Sequence, residues 1–143
     1  MTFYFISQET ALINKTHDIQ FDSTSPVSLN VDAEKIGSVI HNLISNAIKY
    51  SPNARKIEVA CRISGDQVTV SVKDQGIGMT PNDAKKVFDR YCRVENNETK
   101  NISGFGIGLY LSAEIVRRHG GTIWADSIIG SGSTFYFSLP LKD

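Results

Sequence analysis

The sequence predicts an α+β domain of two layers, a mixed β-sheet with helices on one face, and three observations lead there. Residues 36–50 carry apolar side chains at helical spacing. Two alternating runs, 57–63 and 68–73, stand either side of a Ser64-Gly65-Asp66 turn, and a second pair, 122–125 and 134–139, closes the chain. Between the pairs lies a loop-rich stretch that opens into a second helix. The order is therefore helix, hairpin, loops, helix, hairpin.

The elements follow in turn. Residues 17–21 and 27–31 read as short strands. Asp32 is a good N-cap for the first helix, in which Ile36, Val39, Ile40, Leu43, Ile44, Ala47 and Ile48 form one broad apolar arc. Pro52 disfavours helix at Ser51, so the helix ends near Tyr50. The first hairpin has one apolar and one mixed face, so one side of the sheet meets solvent. Thr80-Pro81 reads as N-cap and first residue of a short helix carrying Val87 and Phe88. Residues 95–102 are polar and read as a mobile loop. The second long helix should bury Ile107, Leu109, Leu111, Ala113, Ile115 and Val116. It ends in Arg117, Arg118 and His119, with Gly120 as the residue past the cap. Trp124 and residues 135–137 read as sheet core, and His41, at the edge of the apolar arc, as a structural histidine.

Composition narrows the function. The chain has 143 residues, long enough for one core, and its 15 basic and 15 acidic residues cancel, so no basic patch suggests nucleic acid. Cys61 and Cys92 are too few for a zinc site or a disulfide framework and read as buried reduced thiols in a cytosolic protein. The apolar run 3–6 is too short for a signal segment or a membrane span. The abrupt start is expected of a piece of a longer protein.

Three stretches carry chemistry. Asn42, Asn46 and Lys49 share the face opposite the apolar arc, with Tyr50 beside them; alone, such a stripe is ordinary for a solvated face, although Asn is a poor helix former. Asn46 offers a neutral oxygen to a hard cation, Lys49 a charge to a phosphate and Tyr50 a ring to a base. Asp74 ends a strand ahead of Gly76 and Gly78; a carboxylate there can accept from an exocyclic amine, and the glycines let backbone approach a flat ring, although a simple turn has the same pattern. Gly104, Gly106 and Gly108 precede a helix N-terminus, a natural phosphate site, although hinge glycines look alike; the spacing is not a dinucleotide fingerprint and no strand precedes it. Arg90 and Arg93 are ordinary solvated charges unless a nucleotide lies close, where either could reach its γ-phosphate. His17, His41 and His119 have no metal-ligand spacing.

In sequence order, these motifs closely resemble the ATP-binding catalytic domain of sensor histidine kinases. The match comprises Asn42-x-x-x-Asn46-x-x-Lys49-Tyr50, Asp74-x-Gly76-x-Gly78, the run Val87-Phe88-Asp89-Arg90-Tyr91-Cys92-Arg93, Gly104-Phe105-Gly106-Ile107-Gly108-Leu109, and Gly130-x-Gly132-Ser133-x-Phe135. The resemblance covers about residues 15–141. It implies a Bergerat α/β sandwich, a mostly antiparallel mixed sheet with about three helices on one face, and residues 1–143 as a single catalytic domain.

The same resemblance implies the site. Asn46 would hold Mg²⁺ bridging the phosphates of ATP, with Asn42 supporting. Lys49 would touch phosphate, Tyr50 would pack by the adenine, and Arg93 would act at the γ-phosphate. Asp74 would accept from the adenine amino group, with Gly76, Gly78 and Ser133 completing the pocket. Gly104, Phe105, Gly106, Ile107, Gly108 and Leu109 would shape the lid and the phosphate contact; Phe105 stands where many members have Thr or Ser.

The function implied is γ-phosphoryl transfer to a histidine on a separate dimerisation domain, feeding a response regulator in two-component signalling. The isolated domain is expected to be a monomer and cytoplasmic, from a membrane-anchored parent. His17-Asp18 is the nearest approach to an acceptor motif but lacks its proline, so the acceptor is expected elsewhere. Three rivals stand beside this reading. An ATP-hydrolysing relative would carry a general-base Glu at the position of Asn42. The others are an inactive nucleotide-binding module and a serine kinase of the anti-sigma type.

Overall fold

The computed structural model describes residues 18–23, 31–51, 56–89 and 108–141. Strand β1 (Asp18–Ser23) is followed by α1 (Ala33–Lys49), the hairpin β2 (Lys56–Ser64) and β3 (Gln67–Asp74), α2 (Pro81–Lys86), α3 (Gly108–Arg118), and the hairpin β4 (Thr122–Ile128) and β5 (Gly132–Pro140). The strands form one sheet in the order β1-β2-β3-β5-β4. Only β1–β2 is parallel, with Ile19 opposite Ile57; the remaining pairs are antiparallel.

The expected two-layer α+β architecture is what forms. Ile36, Val39, Ile40, Leu43 and Ala47 of α1 are fully buried and meet Ile57, Val68, Val72, Phe137 and Leu139 of the sheet in one cluster. Helix starts follow the sequence. Asp32 accepts from the Lys35 N–H at 3.1 Å and Thr80 from the Asp83 N–H at 3.1 Å, satisfying donors that the first turn leaves orphaned. Gly120, at φ +77°, ends α3, and the Gly121 N–H returns to the Val116 carbonyl. Beside it, His119 links the ends of two helices. Its Nε2 accepts from the Asp32 N–H at 3.3 Å and its Nδ1 lies 2.8 Å from the Ile115 carbonyl, a pair of contacts that the neutral Nδ1–H tautomer satisfies.

Several expectations change. Leu111 is 47% exposed, and the small Ser112 takes the buried place beside Ala113, because α3 faces α1 through small residues there. Trp124 stacks on Tyr136, ring centroids 5.1 Å apart, on the outer face of the sheet; Phe135 and Phe137, of opposite pleat, fill the core. His41 is exposed. Ile63 is also exposed, although its cross-strand partner Val68 is fully buried. Ser64 pairs with Gln67, so the first turn contains only Gly65 and Asp66. Helix α2 stops at Lys86; Val87 is its cap, and Phe88 beyond it meets Phe135 edge-on at 6.1 Å. The strand expected over 27–31 and the loop over 95–102 lie outside the described residues, apart from Val31, which is not in a strand.

Candidate functional site

Asp74 ends β3 and is 2% exposed, a depth at which an ionised carboxylate needs partners. Its Oδ1 accepts two backbone N–H groups, from Gly76 at 2.9 Å and Ser133 at 3.3 Å. Burial pushes its pKa above the ordinary carboxylate value, and these two N–H groups pull it back. Its Oδ2 makes no hydrogen bond among the described residues, leaving a buried acceptor for an N–H donor.

The chain reaches this arrangement through close approaches that only glycine permits. A Cβ on Gly76 would lie 1.9 Å from the Tyr50 carbonyl oxygen, which itself accepts the Ile77 N–H at 3.1 Å. The C-terminal end of α1 is thereby held against the loop after β3. Gly132, at φ +102°, brings β5 against the Asp74 carbonyl, where a Cβ would lie 2.2 Å from the oxygen. On the far side of the loop, Gly78 is pressed on Ile128, and the Gly130 N–H donates to the Ile77 carbonyl at 2.8 Å.

The asparagine stripe of α1 is not a solvated face. Asn42 is half-buried and its Nδ2 donates at 3.2 Å to the Oγ of Ser112, which is fully buried on α3. A Cβ on Gly108, one turn earlier on α3, would come only to 4.0 Å from the Asn42 Cγ. Asn46, one turn along α1, is half-buried, Tyr50 likewise, and Lys49 is exposed. One patch therefore holds Asp74, the loop through Gly76 and Gly78, and the end of α1 with Tyr50; the asparagines lead from it along α1 to the first turn of α3.

Among the sequence candidates, Ser133 contributes through its backbone; its hydroxyl lies 2.7 Å from that of Ser127. Leu109 is half-buried against the core. Arg93, Gly104, Phe105, Gly106 and Ile107 lie outside the described residues. Sequence reasoning missed Ser112 and Ser127. Ser112 left one signal, a small polar residue four positions after Gly108 on a helix face otherwise apolar.

Known proteins resemble this chain. Residues 31–143 match the family of histidine kinase-, DNA gyrase B- and HSP90-like ATPases, and the chain belongs to that family of ATP-binding domains. Within it, the chain is homologous to sensor histidine kinases: it is 40% identical over 136 residues to the sensor histidine kinase WalK of Bacillus subtilis, covering 92% of this chain and 22% of that protein. It is 39% identical over 113 residues to the sensor protein kinase WalK of Staphylococcus aureus, covering 78% of this chain and 27% of that one. The chain thus spans about a fifth to a quarter of the length of these relatives. The same fold occurs in the mycobacterial sensor histidine kinase MprB, with TM-score 0.80, 24% identity, and 98% and 95% of the two chains covered. It occurs also in the catalytic domain of histidine kinase ThkA, with TM-score 0.82, 23% identity, and 98% and 93% covered.

Proposed function

We propose that this domain binds Mg-ATP and donates the γ-phosphoryl group to a histidine on a separate dimerisation domain of a two-component sensor kinase. The observation that carries the reading is Asp74, a buried carboxylate with one oxygen held by two backbone N–H groups and the other without a donor among the described residues. The free acceptor suits the adenine amino group, and Tyr50, Gly76, Gly78 and Ser133 surround the base. Asn46 is the protein ligand for Mg²⁺, a neutral oxygen of the kind that cation accepts when phosphate and water supply the rest. Mg²⁺, when bound, neutralises charge on the phosphate oxygens. Lys49 and Arg93 act on phosphate, and the stretch 104–109 closes over it.

Asn42 separates this reading from ATP hydrolysis. An amide cannot take a proton from water, and this one is engaged with Ser112. The acceptor imidazole therefore attacks the γ-phosphorus, ADP leaves, and the phosphoryl group passes on to a response regulator. The parent is a membrane-anchored protein with this domain in the cytoplasm and monomeric when isolated; among the described residues no helix is long and apolar enough to cross a membrane.

The test uses labelled ATP and Mg²⁺, with and without the histidine-bearing dimerisation domain of the parent. Label is expected on the added domain only, and Asn46→Ala should abolish it. Tethering raises effective concentration in the parent, so the domains are mixed at roughly millimolar levels. Acid-labile label on this chain alone, or rapid phosphate release without acceptor, overturns the proposal.

A further inference from the structure

We infer that Ser127 is the positioning residue for base recognition: its hydroxyl fastens the loop after β3 to the β4–β5 turn and so holds Ser133 against Asp74. The inference rests on the reading of Asp74 as the group that reads the adenine amine.

Ser127 lies on β4, on the opposite side of β5 from Asp74, and does not touch the carboxylate. Its Oγ nevertheless meets three groups on the two segments that flank Asp74. The Met79 N–H donates to it at 2.7 Å, the Gly132 carbonyl lies at 3.1 Å, and the Ser133 hydroxyl at 2.7 Å. One proton assignment satisfies every contact. Ser127 donates to Gly132 and accepts from both Met79 and Ser133, which fills the hydroxyl's one donor and two acceptor positions. Met79 ends the glycine loop that starts beside Asp74, and Gly132 and Ser133 are the residues that press on Asp74 from β5. Met79 and Ser133 are each 7% exposed, so without Ser127 the Met79 N–H and the Ser133 hydroxyl lose a partner where water cannot readily replace it.

The fold does not depend on this hydroxyl. The β4–β5 ladder from Thr122 to Ile128 and the Gly130 N–H bond to the Ile77 carbonyl remain without it. Loss of Ser127 should therefore loosen the seat of Asp74 and leave the sheet standing. The consequence should be specific to the base, since Asn46 and Lys49, which act on the phosphate side in the proposed reading, lie on α1 and not on the segments that Ser127 joins.

The experiment compares binding of ATP with binding of purine riboside triphosphate, which lacks the exocyclic amine, by calorimetry. Ser127→Ala should reduce the preference for ATP about three- to tenfold, the worth of a buried hydrogen bond, with little change for the amine-free nucleotide. Ser127→Thr, which keeps the oxygen, should recover the preference. In an Asp74→Asn background, Ser127→Ala should have no further effect on the preference, because the residue it acts through is gone. Unchanged preference in Ser127→Ala, equal loss for both nucleotides, or equal loss in both backgrounds overturns the inference. If Asp74→Asn itself leaves the preference intact, the underlying reading of Asp74 fails as well. Should Ser127→Ala be poorly folded, Ser127→Cys, smaller in perturbation and a weak hydrogen-bonding group, serves in the same comparison.

Discussion

Asp74 is under two opposed demands, and they set its pH behaviour. Burial favours its neutral form, while recognition of an amine, the role proposed for it, favours the charged one. In the free protein its pKa is raised, so the native state binds this proton more readily than the unfolded chain. Its contribution to stability is therefore fullest at low pH and falls as pH rises from the ordinary carboxylate value through the raised one. Nucleotide binding runs the other way: ATP affinity should drop on acidification through the raised pKa. Calorimetry across mildly acidic pH should show that drop in the wild type. In Asp74→Asn the affinity should be weaker by about 1.5–3 kcal/mol and lack this step. At this scale the sequence was informative where chemistry depends on a residue's kind and place, as with Asp74 at a strand end. It was silent about Ser127 and left only a faint signal at Ser112, because what matters in them is a partner 48 or 70 positions away. Those partners are set by the sheet order and by the packing of α1 on α3, which no local pattern encodes.

The elements were legible wherever local signals agreed. Both caps, the arc of α1 and both hairpins rest on short-range patterns, and they form as expected. The misreadings have a common cause. Leu111 and Trp124 are large apolar residues whose exposure depends on which neighbour covers the element; Leu111 stays exposed although α3 packs on α1, β4 and β5, and Trp124 stacks on Tyr136 and is partly open among the described residues. Glycines make the dependence measurable, because two of them do different work. Gly65 needs only its backbone angle, φ +61°, with nothing within 4 Å of a Cβ; Gly76 needs space between two elements. In urea melts, Gly65→Ala should cost about 1 kcal/mol. Gly76→Ala should cost more than about 2 kcal/mol and also weaken ATP binding, since α1 must lift off the loop to admit the methyl group. Equal costs for the two would mean that the contact at the end of α1 is soft.

For the whole molecule, the sandwich puts recognition and reporting on different faces. The chain has one tryptophan, and Trp124 stacks on Tyr136 on the side of the sheet away from the helices. Its emission should follow unfolding in denaturant and remain nearly unchanged when ATP saturates the site. A large shift on binding, at constant fold, would mean that the sheet itself rearranges. The sheet order has a further consequence, which concerns the time at which the protein becomes a protein. Strand β5 lies between β3 and β4 although it follows both in the chain. During synthesis, β3 and β4 are complete before the strand that joins them exists, and Asp74 has neither Ser133 nor Gly132 beside it until then. The emerging chain can form its first hairpin and α1 early, but cannot assemble the surroundings of Asp74 in pieces. The proposed base-reading arrangement is therefore complete only once β5, made after both of its neighbours, has joined the sheet.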